Sequence, residues 1–345
     1  MTRDEQYMLR CLQLAKLGAG KVAPNPMVGA VLVYKDKIIG EGYHQKYGEA
    51  HAEVNCINAV NEADRGLIEK STLYVSLEPC SHFGKTPPCS DLIIQNKIPK
   101  VVIGCQDIYK EVYGKGILKL QNAGVEVITG ILEKECIELN KRFFTFHQKF
   151  RPYIILKWAQ SLDGIIGNKG QRMLISNDYS NRLVHKWRSE EAGILIGTNT
   201  TLHDNPFLTV RLWEGKNPVR IVIDKKLVLP TSLHIFNEEA KTIVYNASKN
   251  SIEENLVFIK FENENFIDEI VQSLFEMNIQ SVMIEGGAKT LQSFINSGLW
   301  DEARVVTNET VTANHGISAP AMQNFSLIKQ ERYLSDLISY YQPIA

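Results

Sequence analysis

Ala50-His51-Ala52-Glu53, answered by Glu78-Pro79-Cys80 and Pro87-Pro88-Cys89, decides how this chain is read. One His and two Cys make a three-ligand zinc set, and a carboxylate sits two residues from the His. Structural zinc usually takes four protein ligands, whereas catalytic zinc takes three and keeps a position for water. His51, Cys80 and Cys89 therefore predict one catalytic Zn²⁺ per chain, with Glu53 moving the proton of its water. The pattern H-x-E…P-C-x-x-C marks zinc deaminases, which hydrolyse ammonia from an amidine-type carbon. Here the second Cys follows nine positions after the first rather than three. The intervening loop is long enough to carry substrate specificity.

The surrounding pattern places these motifs at junctions between strands and helices. Thr2 to Glu5 has the form of a capping box and opens a helix. Strands are predicted over 29–34 and 38–43, joined by a turn, and over 72–77. His51 starts an apolar-periodic helix with Val54 and Ile57 inward. Another helix is expected over 90–96, and a thiolate at its start is favoured by the partial positive charge there. Three such junctions would bring His51, Glu53, Cys80 and Cys89 to one sheet edge, where open α/β sheets bind ligands. Two more β–α units follow, and a single helix over 132–146 closes the half.

A boundary falls near Lys149-Phe150-Arg151-Pro152, dividing a zinc domain (1–147) from a second α/β domain (148–345). Strands are expected there over 153–159, 193–196, 219–223, 242–245, 257–261, 281–285 and 303–307. Helices are expected over 178–187, 266–277 and 288–296. Glu285-Gly286-Gly287-Ala288 reads as strand, tight turn, helix, a geometry that lets backbone N–H groups approach a phosphate. Arg188 and Arg211 are candidates for bidentate phosphate binding.

Composition narrows the function classes. A chain of 345 residues is long enough for two cores. A net charge of −1 gives no general attraction for nucleic acid. The six cysteines all lie in the first half, and with no secretory signal a disulfide framework is not expected. Cys11, Cys56, Cys105 and Cys136 sit within apolar patterns and read as core residues. No apolar run approaches the roughly 20 residues of a membrane span. A cytoplasmic protein is expected.

Beyond these readings, the motifs carry a resemblance. Pro24-Asn25-Pro26-Met27-Val28-Gly29, Gly42-Tyr43-His44, His51-Ala52-Glu53 and Glu78 to Cys89 resemble the deaminase half of the bifunctional riboflavin-biosynthesis deaminase–reductases. Lys157 to Gly164, Asp204 to Arg211 and Ile284 to Ala288 resemble their reductase half. The resemblance covers nearly the whole chain and keeps the family's motif order. It implies an α/β chain: a cytidine-deaminase-like three-layer domain followed by a dihydrofolate-reductase-like domain. It also implies two reactions. The first is zinc-dependent deamination of 2,5-diamino-6-ribosylamino-4(3H)-pyrimidinone 5′-phosphate. The second is NADPH-dependent reduction of the ribosyl group, giving 5-amino-6-ribitylaminouracil 5′-phosphate. By position it implies that Asn25, His44, His82, Lys85 and Thr86 contact the deaminase substrate. It likewise places Ala159, Thr200, Asp204, Gly286, Gly287 and Ala288 at the cofactor. Arg188, Leu208, Arg211 and Glu285 would meet the reductase substrate. A small phosphorylated pyrimidine is the expected partner, with no nucleic acid and no membrane, in a homo-oligomer.

This chain departs from the family pattern at three places. Arg172 and Leu174 stand where a small polar residue and an aromatic are common. Asp107-Ile108-Tyr109-Lys110 stands where Asp-Pro-Asn-Pro is common, and Lys225 where a small hydroxyl residue is common. Two other readings compete. A nucleic-acid-editing deaminase would need a basic, aromatic-lined groove and C-x-x-C spacing; the charge and the spacing here do not match. A zinc deaminase with a regulatory nucleotide-binding C-terminal domain is the alternative kept open by Arg172 and Leu174.

Overall fold

A computed structural model describes residues 1–83, 87–109, 112–168, 173–262 and 266–344. The chain forms two compact units, Met1–Lys149 and Phe150–Ala345. In the first, helix α1 (Arg3–Ala15) opens with the expected capping box: the Thr2 hydroxyl accepts from the Glu5 N–H and the Glu5 carboxylate from the Thr2 N–H. Strands β1 (Gly29–Tyr34) and β2 (Lys37–Tyr43) form the hairpin. Then come α2 (Ala52–Asn58), β3 (Thr72–Leu77), α3 (Cys89–Gln95), β4 (Lys100–Cys105), α4 (Lys115–Asn122), β5 (Glu126–Thr129), α5 (Glu133–Leu139) and α6 (Lys141–Lys149).

The sheet order is β2-β1-β3-β4-β5. Alternation along β1 explains the layers. Ala30 and Leu32 pack with Ala52, Cys56 and Ile57 of α2, Ile93 of α3 and Leu120 of α4. Val31 and Val33 pack with Met8 and Cys11 of α1, Cys136 of α5 and Phe143 and Phe144 of α6. Helices therefore cover both faces, a three-layer arrangement. β2 and β3 each pair antiparallel with β1, so their carboxyl ends share one edge. Gly42 lets α2 lie tight on β2: a Cβ there would stand 2.3 Å from the Cys56 nitrogen.

The single helix expected over 132–146 is two helices. Asn140 breaks it with φ −105° and ψ 23°. Its side chain instead clasps Met27: Oδ1 accepts the Met27 N–H at 2.8 Å and Nδ2 donates to the Met27 carbonyl at 2.9 Å. The break thus fixes the loop that carries Asn25.

The second unit contains β6 (Tyr153–Ser161), β7 (Ile165–Gly167), α7 (Asp178–Glu190), β8 (Gly193–Gly197), α8 (Thr198–Asp204), β9 (Val219–Ile223), β10 (Thr242–Asn246), β11 (Ser251–Glu253), β12 (Leu256–Lys260), α9 (Phe266–Glu276), β13 (Ser281–Ile284), α10 (Ala288–Ser297), β14 (Glu302–Asn308), β15 (Ile317–Ser318), β16 (Phe325–Tyr333) and β17 (Asp336–Pro343). Its main sheet runs β11-β12-β10-β9-β8-β13-β6-β14-β17-β16. The strands from β12 to β14 are parallel, whereas β11, β17 and β16 pair antiparallel. Its α9 and α10 bury Ile270 and Leu291 on one face; α7 buries Val184 and Trp187 on the other. The carboxyl ends of β8, β13 and β6 carry Thr198, Glu285 and Leu162, next to one another in the sheet.

Candidate active sites

The first unit gathers its donors at the edge shared by β2 and β3. His51 is the N-cap of α2, with extended φ −73° and ψ 168°. Cys80 follows β3 and Cys89 is the first residue of α3. The His51 Nδ1 lies 3.6 Å from the Cys80 Sγ and 3.3 Å from the Cys89 Sγ. All three donor atoms fall within 4.8 Å of one another. Tetrahedral zinc with bonds of about 2.3 Å to sulfur and 2.0 Å to nitrogen separates S and N ligands by about 3.5 Å. The donor set and its spacing therefore fit the metal. The Cys89 N–H donates to the Cys80 sulfur at 3.3 Å. The Cys89 thiol, then His51, pulls the Cys80 pKa down, while Cys80 and burial push Cys89 up. Three groups competing for protons suit a shared cation.

Glu53, in the first turn of α2, is 3% exposed. Burial pushes its pKa up against the attraction of His51. His44 packs edge-on against His51, with ring centroids 5.3 Å apart. Its Nδ1 faces the Ala50 carbonyl at 3.1 Å, which can only accept, so Nε2 is left to accept from the Asn25 amide at 3.2 Å. Both His44 nitrogens are thus used within the chain, while the Asn25 Oδ1 has no partner among the described residues. Among the described residues the buried His82 Nδ1 has no hydrogen-bond partner, and its ring lies 6.4 Å from Tyr109. Lys85 and Thr86 lie outside the described residues.

Glu78 is a residue whose role the sequence did not reveal. Its carboxylate accepts the N–H groups of Asp107 (3.2 Å), Gly114 (3.0 Å), Gly116 (2.9 Å) and Ile117 (3.3 Å). It ties the start of α4 to the backbone that leads into Cys80. Burial still pushes its pKa up despite these donors. Burial also lifts Asp107 to about 6. The only sequence cue was an acid placed directly before Pro79-Cys80.

In the second unit, Glu285 directly follows β13, with its side chain 8% exposed. Arg188 grips it with Nε and Nη2, both at 2.8 Å. The Lys157 ammonium stands 3.8 Å away. Burial would raise the Glu285 pKa, but Arg188 and Lys157 prevail and hold it at about 2. The Arg188 fork is therefore committed to Glu285, and its Nη1 faces the Thr209 carbonyl at 3.5 Å. Arg211 is exposed and its Nη1 donates to the Thr209 hydroxyl at 3.0 Å. Leu208 buries its side chain in the core at a strained φ of +55°.

Gly287 donates its N–H to the Thr200 hydroxyl at 2.8 Å. A Cβ at Gly287 would also stand 2.8 Å from that oxygen. A side chain at Gly287 would therefore crowd Thr200. The turn opens the ten-residue α10, whose start has no side-chain cap. These features fit a nucleotide phosphate. Thr200 meets Gly287; Asp204 lies exposed at the end of α8, and Ala159 half-buried within β6. Arg172 lies outside the described residues, Leu174 is 75% exposed, and the Lys225 ammonium sits 3.8 Å from the Phe266 ring centroid.

These folds and sites define a class: a zinc-type hydrolytic deaminase joined to a nucleotide-dependent reductase. The cytidine and deoxycytidylate deaminase zinc-binding region matches residues 1–105, and the RibD C-terminal domain matches residues 152–312. The chain belongs to the RibD family, the bifunctional deaminase–reductases of riboflavin biosynthesis. Riboflavin biosynthesis protein RibD of Aquifex aeolicus is 44% identical over 308 residues, covering 86% of this chain and 85% of the relative. RibD of Escherichia coli is 36% identical over 319 residues, covering 87% and 86%. A crystal structure of a diaminohydroxyphosphoribosylaminopyrimidine deaminase/5-amino-6-(5-phosphoribosylamino)uracil reductase from Thermotoga maritima superposes with a TM-score of 0.91 at 36% identity, covering 99% and 98%. Acinetobacter baumannii RibD, form 1, gives 0.89 at 29% identity, covering 99% of each chain. The match through residues 152–312 disfavours the purely regulatory reading of the second unit. Among the described residues no helix is long and apolar enough to cross a membrane.

Proposed function

We propose that residues 1–147 deaminate 2,5-diamino-6-ribosylamino-4(3H)-pyrimidinone 5′-phosphate and residues 148–345 reduce the ribosyl group of the product with NADPH. The observation that carries this reading is the triad of donors within 4.8 Å beside buried Glu53. His51, Cys80 and Cys89 would hold the zinc, which when bound would supply a nucleophilic water at neutral pH. Glu53 accepts a proton from the attacking water and returns it to the leaving nitrogen, so that ammonia departs. Asn25 offers its Oδ1 to the amino groups of the pyrimidine, and His44 orients it. His82, Lys85 and Thr86 complete the substrate contacts.

In the second unit, NADPH when bound would supply the hydride, and the surrounding residues would hold the sugar of the deaminated product in place for its reduction from ribosyl to ribityl. Ala159, Thr200, Asp204, Gly286, Gly287 and Ala288 border the cofactor. Glu285, set by Arg188, meets the sugar with the Leu208 backbone, and Arg211 binds the phosphate. The protein works in the cytoplasm as a homo-oligomer. The test is to give zinc-loaded protein the diaminopyrimidine with and without NADPH. Ammonia is expected in both, and nucleotide oxidation when NADPH is present. Ammonia release without any NADPH oxidation would contradict the reductase assignment.

A further inference from the structure

One buried histidine of the second unit has half of its bonding capacity unspent. His185 lies on α7, three residues before Arg188 and on the same face. Its Nδ1 accepts the Arg211 backbone N–H at 3.0 Å, so the neutral ring carries its proton on Nε2. That Nε2 makes no hydrogen bond among the described residues, and it is not among the buried polar atoms left without a partner. The charges facing the ring are Arg188, Arg211, Glu285 and Lys157. Burial, then Arg188 and Arg211, lowers the His185 pKa to about 4, so it is neutral at working pH. A neutral ring with one spare N–H among cations suits an anionic oxygen.

We propose that His185 is a phosphate-site residue of the reductase: Nδ1 fixes the Arg211 backbone, and Nε2–H donates to the 5′-phosphate of the substrate. This rests on the substrate reading above. It supplies a donor that Arg188 does not, because Arg188 spends Nε and Nη2 on Glu285. His185 is then a specificity residue, favouring phosphorylated over free ribosyl compounds.

The test compares reduction of the deaminated substrate with reduction of its dephosphorylated counterpart, following NADPH oxidation. In H185N the Asn Oδ1 can still accept from Arg211, but the Nε2 donor is lost. H185N is expected to raise KM for the phosphorylated compound about tenfold, as for one hydrogen bond to a charged group, with kcat within about twofold. KM for the dephosphorylated compound should stay unchanged. In H185Q the amide N–H reaches toward the Nε2 position and should restore part of the preference; H185A should not. The inference is overturned if H185N raises KM equally for both compounds or for neither, or if H185Q does no better than H185A. A wild type indifferent to the phosphate overturns both this inference and the role of Arg211. Absence of any NADPH oxidation by the wild type overturns the reductase reading and this inference with it. Thermal unfolding of each variant confirms that a KM change is not loss of fold.

Discussion

Two buried carboxylates, Glu53 and Glu285, are pushed in opposite directions by their surroundings. Glu53 lies against the donor thiols, and burial raises its pKa. Glu285 lies against Arg188 and Lys157, which hold it at about 2. One is suited to carrying a proton and the other to remaining an anion. E285Q should therefore abolish reduction. It should also destabilise the second unit by about 3 kcal/mol, because two cations lose a buried partner; thermal unfolding and an NADPH assay read both. At this scale the sequence was informative where chemistry is carried by side chains. His51, Glu53, Cys80 and Cys89 were legible from residue type and spacing. The Glu78 contacts were not, because its partners are backbone N–H groups that no residue letter encodes. Nor did the letters show that Arg188 binds Glu285, or that the Leu208 side chain faces the core.

At the scale of elements, strands with strong β-branched runs were legible to within a few residues, as β3 and β9 show. The helix break at Asn140 was not, since its cause is a long-range clasp on Met27. The hairpin of β16 and β17 was also missed. Strand β16 is a sheet edge with most residues exposed, including Lys329 and Gln330, so burial imposes no period of two on it. Asn140→Ala tests whether the clasp serves the site. It should cost about 2 kcal/mol in stability for two lost hydrogen bonds. It should raise KM for deamination severalfold while leaving NADPH oxidation with the deaminated substrate unchanged. An unchanged KM would make the clasp purely structural.

At the scale of the whole molecule, the two units carry separate chemistries and one shared acid sensitivity. His147 and His185 both have pKa values lowered by burial, His185 to about 4. Their neutral forms are the folded ones, so the unfolded chain binds more protons between about pH 6.5 and 4. The histidine contribution should be flat above this window and fall as pH drops through it, while Glu53, Glu78 and Asp107, raised by burial, act in the opposite sense. Glu285 adds a further loss below the ordinary carboxylate range, as pH falls toward 2. Measured at pH 7.5, 6 and 4.5 (chosen to bracket the window), the thermal midpoint of the wild type should fall relative to that of H185N in that order; a constant difference would contradict the His185 contribution. Chelation of zinc should stop ammonia release and leave reduction of the deaminated substrate intact.

The central claim is that two independent sites act in sequence on one phosphorylated pyrimidine, and Glu53→Gln tests it most directly. The variant should retain one zinc per chain by metal analysis. It should release no ammonia from the diaminopyrimidine above roughly one-hundredth of the wild-type rate. It should oxidise NADPH at the wild-type rate when given the deaminated compound. Wild-type ammonia release by the folded, zinc-loaded variant, or loss of both activities together, would contradict the account.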